Sequence, residues 1–321
     1  MKGSSIKLLT LGQIAFSDYF YIAPPPDNRL SGILELAGIQ AHLWVLEEQP
    51  DCYALVDGYV RWEWAKNKSL IHVPCIVFPI STPREDLLRA RILIKISERP
   101  LNLEEKAVIV KKLLQFYSVR EVEQLFFPIL RLPLKPDLHK RLTAIATASE
   151  DFRQAIRTGI IDDKVAIRLS LWDERSKREV LRMFNQIQCS VSLQREILDY
   201  LEDMARQQNI SPADVLTSSE ITSIIFDTTL NARQKTERIR NFFKNRLFPH
   251  LAAREASFRQ FVESLKLPQG VVFTPPDQFE GDDWEVKISF TKPEDLMTKF
   301  KAISEKITPE VLKIMCYGDR E

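Results

Sequence analysis

The sequence predicts an α+β protein, with a mixed α/β segment first, a mainly helical middle and a small C-terminal α/β element. Three observations carry this. Short β-like runs broken by turn signals fill the chain from Ile6 to Ile80, helical periodicity takes over after Ser81, and strict alternation returns at WEVKISF. The divisions that follow are 1–100, 101–268 and 269–321.

In order, the strands are expected at IKLLTL, AHLWVLEE, CYALVDG and VPCIVFPI, with the loop APPPDN between the first two. RLSGILELAG places Leu30, Ile33, Leu34 and Ala37 on one helical face and stops at Gly38. STPREDLLRARILIKI opens with a Ser/Thr-Pro-Arg-Glu helix-start signal. Amphipathic helices follow at LNLEEKAVIVKKLLQFY, SEDFRQAIRTG, ERSKREVLRMFNQI, LQREILDYLEDMARQQN and from Ala232 to Leu265. VVFTPP and WEVKISF are then strands, and KPEDLMTKFKAISEKI is the last helix expected.

At 321 residues the chain is longer than one hydrophobic core usually organises. Its 45% hydrophobic and 28% charged residues exclude a disordered or membrane class. Lys+Arg at 45 against Asp+Glu at 44 gives a net charge of +1, so no global field draws the protein to nucleic acid and any basic footprint is local. Cys52, Cys75, Cys189 and Cys316 lie too far apart for a zinc knuckle or a disulfide framework. No run approaches the ~20 apolar residues that span a bilayer, and no leader pattern opens the chain. The expectation is a cytoplasmic protein with no membrane partner.

The stretch YALVDGYVRWEW, Tyr53 to Trp64, carries the main functional signal. A strand ends at Asp57-Gly58 and a helix begins near Arg61. Unpaired backbone N–H groups at such a helix start, a glycine that allows close approach and a forked guanidinium together make an anion seat. The alternative is an ordinary turn with a solvated arginine. Trp62 and Trp64, two residues apart, point in different directions, so at most one faces a pocket. His42 and His72 beside strands either orient a ligand or simply pack.

The order of segments around this stretch resembles the N-terminal domain of the ParB partition-protein superfamily. LSGILELAGIQAHLWV (30–45), YALVDGYVRWEWAKNKSLIHVPCIVF (53–78), LNLEEKAVIVKKLL (101–114) and the helical stretch 152–184 carry the likeness, with the 53–78 block most specific. The resemblance implies a nucleotide-binding, DNA-associated homodimer of partition or regulatory type, holding CTP or ATP with magnesium. It further implies that Gly38, Ile39 and Gln40 line the nucleotide, that Asp57, Gly58, Tyr59 and Arg61 form the phosphate box with Ala65 behind it, and that Arg99 belongs to a second box.

The chain departs from that pattern at three places: Val60 stands where the box has the first of two adjacent arginines, His42 replaces a proline, and IKISERP lacks a Glu-Asn pair. Losing one guanidinium and a carboxylate box predicts weakened or altered binding, with turnover of a CTPase type less favoured than binding. Glu104 and Glu105 are expected as solvated first-turn caps. Two alternatives stand beside this reading, a ParB-fold small-molecule kinase or NTP hydrolase and a protein-binding scaffold, and spacing assigns no catalytic residue and no metal ligand to either.

For DNA, the element SVREVEQLF runs into FFPILRLPLKP, where Pro128, Pro133 and Pro136 disfavour a continuous reading helix. The second basic region, 231–260, holds Lys/Arg at 233, 235, 238, 240, 244, 246, 254 and 259 against Glu237 and Glu255, a local excess of 8 − 2 = +6. Arg233, Arg240 and Lys244 share a helical face that either meets phosphate or is answered by the acidic loop DQFEGDDWE (277–285).

Overall fold

The computed structural model describes residues 4–22, 29–276, 279–281 and 283–317. The APPPDN loop, residues 277, 278 and 282 of the acidic stretch, and the side chains of Glu98 and Cys316 lie outside the described residues. The chain forms two compact units, Met1–Asn185 with Ser190–Gln194, and Gln186–Cys189 with Arg195–Glu321.

The first unit opens with β1 (Ser5–Thr10), β2 (Ile14–Ala15), α1 (Arg29–Ala37), β3 (Leu43–Gln49), β4 (Cys52–Asp57), α2 (Tyr59–Asn67), β5 (His72–Phe78) and α3 (Arg84–Glu98). The strands make one mixed sheet in the order β1-β5-β3-β4-β2. β3 runs antiparallel to β4, with Val45 opposite Leu55, and parallel to β5, with Val45 opposite Val77. The central run Tyr53–Val56 is buried throughout, and a strand covered on both faces reads as continuous apolar sequence rather than alternation. At the sheet edge, β1 buries only Leu9 and leaves Ile6 and Leu8 exposed.

The α1 face expected to pack buries Leu34 alone; Leu30 and Ile33 remain exposed. Gly38 ends α1 at φ +69°, its N–H bonding the Leu34 carbonyl, as the sequence anticipates for a glycine stop. α3 starts after Pro83, with Glu85 and Asp86 in its first turn where the helix dipole favours them. Its inner face is apolar at Leu87, Leu88 and Ile92 and then turns cationic at Arg91 and Lys95.

Helices α4 (Leu103–Leu113), α5 (Val119–Glu121), α6 (Phe127–Leu130), α7 (Leu138–Thr147), α8 (Glu150–Arg157), α9 (Asp163–Leu169) and α10 (Glu174–Gln186) complete the unit. Pro128 does not interrupt α5–α6. The segment Val122–Phe126 widens to a π turn, with the Phe127 N–H reaching the Val122 carbonyl, so the proline falls in the first turn of α6 where its missing N–H is tolerated. The chain leaves the helix at Arg131, in a left-handed conformation at φ +54°, and Pro133 and Pro136 lie in the irregular stretch before α7. The exposed surface of α5–α6 carries Arg120, Glu121, Gln124 and Leu125, while Glu123 pairs with His139 at 3.1 Å. The exposed charges there, Arg120 and Glu121, cancel, so the surface carries no cationic excess for phosphate.

The second unit comprises α11 (Val191–Gln208) from Arg195 onward, α12 (Pro212–Leu216), α13 (Ser219–Phe226), α14 (Ala232–Leu247), α15 (Pro249–Ser264), β6 (Val271–Thr274), β7 (Glu285–Ile288), α16 (Pro293–Lys306) and α17 (Pro309–Tyr317). The segment from Ala232 to Leu265 is two helices, parted at Phe248 because Pro249 starts a new one. β6 and β7 pair antiparallel, Val271 opposite Ile288. KPEDLMTKFKAISEKI forms α16, but α17 follows it, so it is not the last helix. Ile197, Leu198, Leu201, Ile221, Ile239 and Phe243 form the unit's core. Among the described residues, no helix is long and apolar enough to cross a membrane.

Candidate functional site

The strand β4, the glycine turn and α2 place the predicted box in one spot. Gly58 holds φ +93° at the start of α2, and a Cβ there would meet the Arg61 guanidinium at 3.1 Å and Leu43 Cγ at 3.2 Å. Only glycine fits, because the conformation is left-handed and the space is already taken. Arg61 folds back over it and donates from Nη2 to Asp57 Oδ2 at 3.0 Å. The turn is therefore neither an open lip nor a solvated arginine, since the Arg61 side chain is only 17% exposed.

A residue that sequence reasoning missed completes the cluster. Arg91 of α3 is 6% exposed, donates to the Val56 carbonyl, and lies 3.4 Å from Asp57 Oδ1, with its guanidinium 4.6 Å from the Tyr59 ring centroid. Burial presses its pKa down, and the Asp57 carboxylate opposes that most. Tyr59 fixes the floor: its hydroxyl lies 2.5 Å from the Ser17 carbonyl and 2.8 Å from that of Leu55, and burial pushes its pKa up. Phe16, Tyr21 and Tyr59 pack in tilted and edge-to-face contacts with centroids 5.0–5.2 Å apart. Lys112 of α4 pins the same wall by donating to the carbonyls of Asp18 (2.8 Å) and Tyr19 (3.0 Å). The Nε atoms of Arg61 and Arg91 are buried and have no hydrogen-bond partner among the described residues.

The remaining expected contacts fall elsewhere. Gly38, Ile39 and Gln40 follow α1, where the Gln40 amide donates to the Ala37 carbonyl. Arg99 is committed to Glu105, at 2.9 and 2.6 Å. Lys95 joins the same carboxylate at 2.9 Å, and Glu105 also closes the α4 cap with Asn102 at 2.9 and 3.1 Å. Burial alone would raise the Glu105 pKa, but the Arg99 and Lys95 contacts outweigh it and hold the carboxyl below its ordinary value. Glu104 sits between Arg157 and Arg153, and burial raises its pKa. Both glutamates are fully buried, not solvated caps, because α3 and α8 bring them cations.

Trp64 donates to Glu35 of α1 at 2.9 Å, while Trp62 lies beside Phe16 on the other side with Lys66 over its ring, so the two do diverge. His42 is half-buried and His72 exposed. In the second unit, Arg240 bonds Glu196 at 2.8 Å and Lys244 lies 3.6 Å from Glu255, while Arg233 is exposed. Among the described residues, the carboxylates answering Arg240 and Lys244 come from α11 and α15.

Magnesium finds no ligand set here. Asp57 is taken by two arginines and Glu105 by Arg99 and Lys95, and among the described residues no group of three His, Cys, Asp or Glu is placed to hold a metal. The start of α2 has no side-chain cap, and two guanidiniums meet at Asp57 beside it, a donor set of the kind that anions take.

No family model matches the chain, and no curated protein matches it. Solved structures do. The C-terminally truncated chromosome-partitioning protein ParB from Caulobacter crescentus complexed with CTP-γ-S is 13% identical, over 56% of this chain and 98% of that one, with a TM-score of 0.26. The same protein complexed to the centromeric parS site is 14% identical over 63% and 99%, with a TM-score of 0.32. A pNOB8-like ParB-N domain is 16% identical over 70% and 94%, again with a TM-score of 0.32. These neighbours are ParB structures. ParB is the family that the 53–78 block resembles.

Proposed function

We propose that the first unit is a ParB-like nucleotide-binding module that takes the phosphates of a nucleoside triphosphate at the Gly58 turn. The observation that carries this reading is the convergence of Arg61 and Arg91 on Asp57, at the end of β4, with Gly58 leaving room for Arg61 to fold back over the turn. The α2 N–H groups and the Arg61 fork bind the phosphate, Tyr59 holds the wall, and any magnesium rides on the phosphates and water. Binding rather than hydrolysis is the activity proposed, because the carboxylate at the turn, Asp57, is engaged by Arg61 and Arg91 in the free protein.

Thermal-shift measurements with CTP, ATP, GTP and UTP, each with and without magnesium, test the reading. A nucleotide at 100 times its Kd stabilises by about 2.7 kcal/mol. Stabilisation in the native protein that disappears in Arg61→Ala supports the seat, and no stabilisation by any nucleotide defeats it.

A second reading has one observation in its favour: Asp57 already engages both arginines, as a protein-binding scaffold with a vestigial seat would require. DNA association is the outer part of the proposal. It rests on the basic excess of 231–260 and on Arg233, since Arg240 and Lys244 already have carboxylate partners.

A further inference from the structure

We propose that Arg91 is the second phosphate-binding guanidinium of the seat, and that the Asp57 carboxylate is a resident anion which a phosphoryl group of the ligand displaces. The proposal rests on the nucleotide reading above and names the device that controls it. The turn itself offers one arginine; the second arrives from α3.

One carboxylate serves two guanidiniums, Oδ2 facing Arg61 at 3.0 Å and Oδ1 facing Arg91 at 3.4 Å, so the cluster carries an excess positive charge. Arg91 is 6% exposed, and a charge buried to that degree needs a counter-ion close by. Both Nε atoms are buried without a hydrogen-bond partner among the described residues. A terminal phosphoryl group has three oxygens to the carboxylate's two and carries up to two charges, so it can take the place of Asp57 and engage an Nε that Asp57 leaves unpaired.

The two kinds of group are also held differently. Arg91 is fixed by the Val56 carbonyl and the Tyr59 ring, whereas Asp57 ends a strand and its side chain is 33% exposed, which gives the carboxylate a route to water. The arginines stay and the anion exchanges. The affinity of the seat is then set by competition, since the ligand must outbid a carboxylate tethered beside it.

The test is isothermal titration of the full chain with inorganic tripolyphosphate and with the best nucleotide of the panel, at fixed ionic strength. Asp57→Asn should bind at least about tenfold tighter than the native protein, and Arg91→Gln at least about tenfold weaker, with Arg91→Lys recovering part of the loss. Without ligand, Asp57→Asn should melt lower than native, and tripolyphosphate should restore it. Native binding with an unchanged or weaker Asp57→Asn overturns the resident-anion role and leaves the nucleotide reading standing. Binding by Asp57→Asn alone supports a seat shut by its own carboxylate and removes the nucleotide reading for the native chain. Binding by neither overturns both. Should Asp57→Asn fail to fold, Arg91→Gln decides, because affinity that survives it overturns the inference.

Discussion

Two ionic clusters lie on α3, and they are built to opposite standards. At one, Glu105 receives two bonds from Arg99, one from Lys95 and one from the Asn102 N–H, and it is fully buried. At the other, one turn back, Asp57 serves two arginines, is one-third exposed, and leaves both Nε atoms unpartnered among the described residues. A cluster whose carboxylate is fully buried and held by four bonds has no exchangeable anion and acts as a rivet between α3 and α4. One with an exposed anion and spare donors holds its cations ready. In the proposed reading, an exchangeable anion, not the mere presence of arginine, separates the seat from the rivet.

The contrast can be broken first at the rivet. Glu105→Gln leaves Lys95 and Arg99 facing a neutral amide and should cost about 3 kcal/mol of unfolding free energy, read by urea denaturation, because it strands buried charge. Phosphate binding should change little, and a large affinity loss at constant fold would erase the distinction between the clusters.

Gly58→Ala attacks the seat instead. At φ +93° and with Arg61 at 3.1 Å from the new methyl, it should cost about 2 kcal/mol and also abolish nucleotide stabilisation. Full binding with only a stability loss would mean that the turn is structural.

Acid sharpens the comparison. The folded pKa of Glu105 lies below its unfolded value, so its stabilisation is complete above about pH 4.3 and is lost as pH falls through the folded value, with a slope of at most about 1.4 kcal/mol per pH unit for one proton. Glu104 works oppositely: its folded pKa is raised, so the stability tied to its protonation is present at low pH and disappears as pH rises through that value. Glu105→Gln should therefore flatten the acid limb of stability against pH, and an unchanged limb would place the acid sensitivity elsewhere.

The smallest effect belongs to the second unit. Arg240→Ala removes a partly exposed pair with Glu196 and should cost under about 1 kcal/mol. If it also lowers salt-sensitive retention on DNA, the α14 face meets phosphate despite its internal partner.

Much of the chain's local order is legible in its residues. Gly38 and Gly58 sit at positive φ where the turns require it, and β1, β3, β4 and β5 fall on the expected runs, whereas the short β2 at Ile14–Ala15 was not among them. Other features were not legible. Arg91, Lys95 and Arg99 recur at helical spacing, and a solvated face has the same spelling. Glu104 and Glu105 looked like caps in water until α8 and α3 covered them. The basic face of α14 gave no sign that Glu196 and Glu255 would answer it.

The sequence by itself determined where the backbone turns, caps and alternates, since those features depend on φ preferences and hydrogen bonds within a few residues of one another. Only the tertiary structure decided which charges are buried, which carboxylate each arginine meets and how many donors are left over. Desolvation and ion pairing act between segments far apart in the chain, and they take a value only when packing has set the distance and excluded the water.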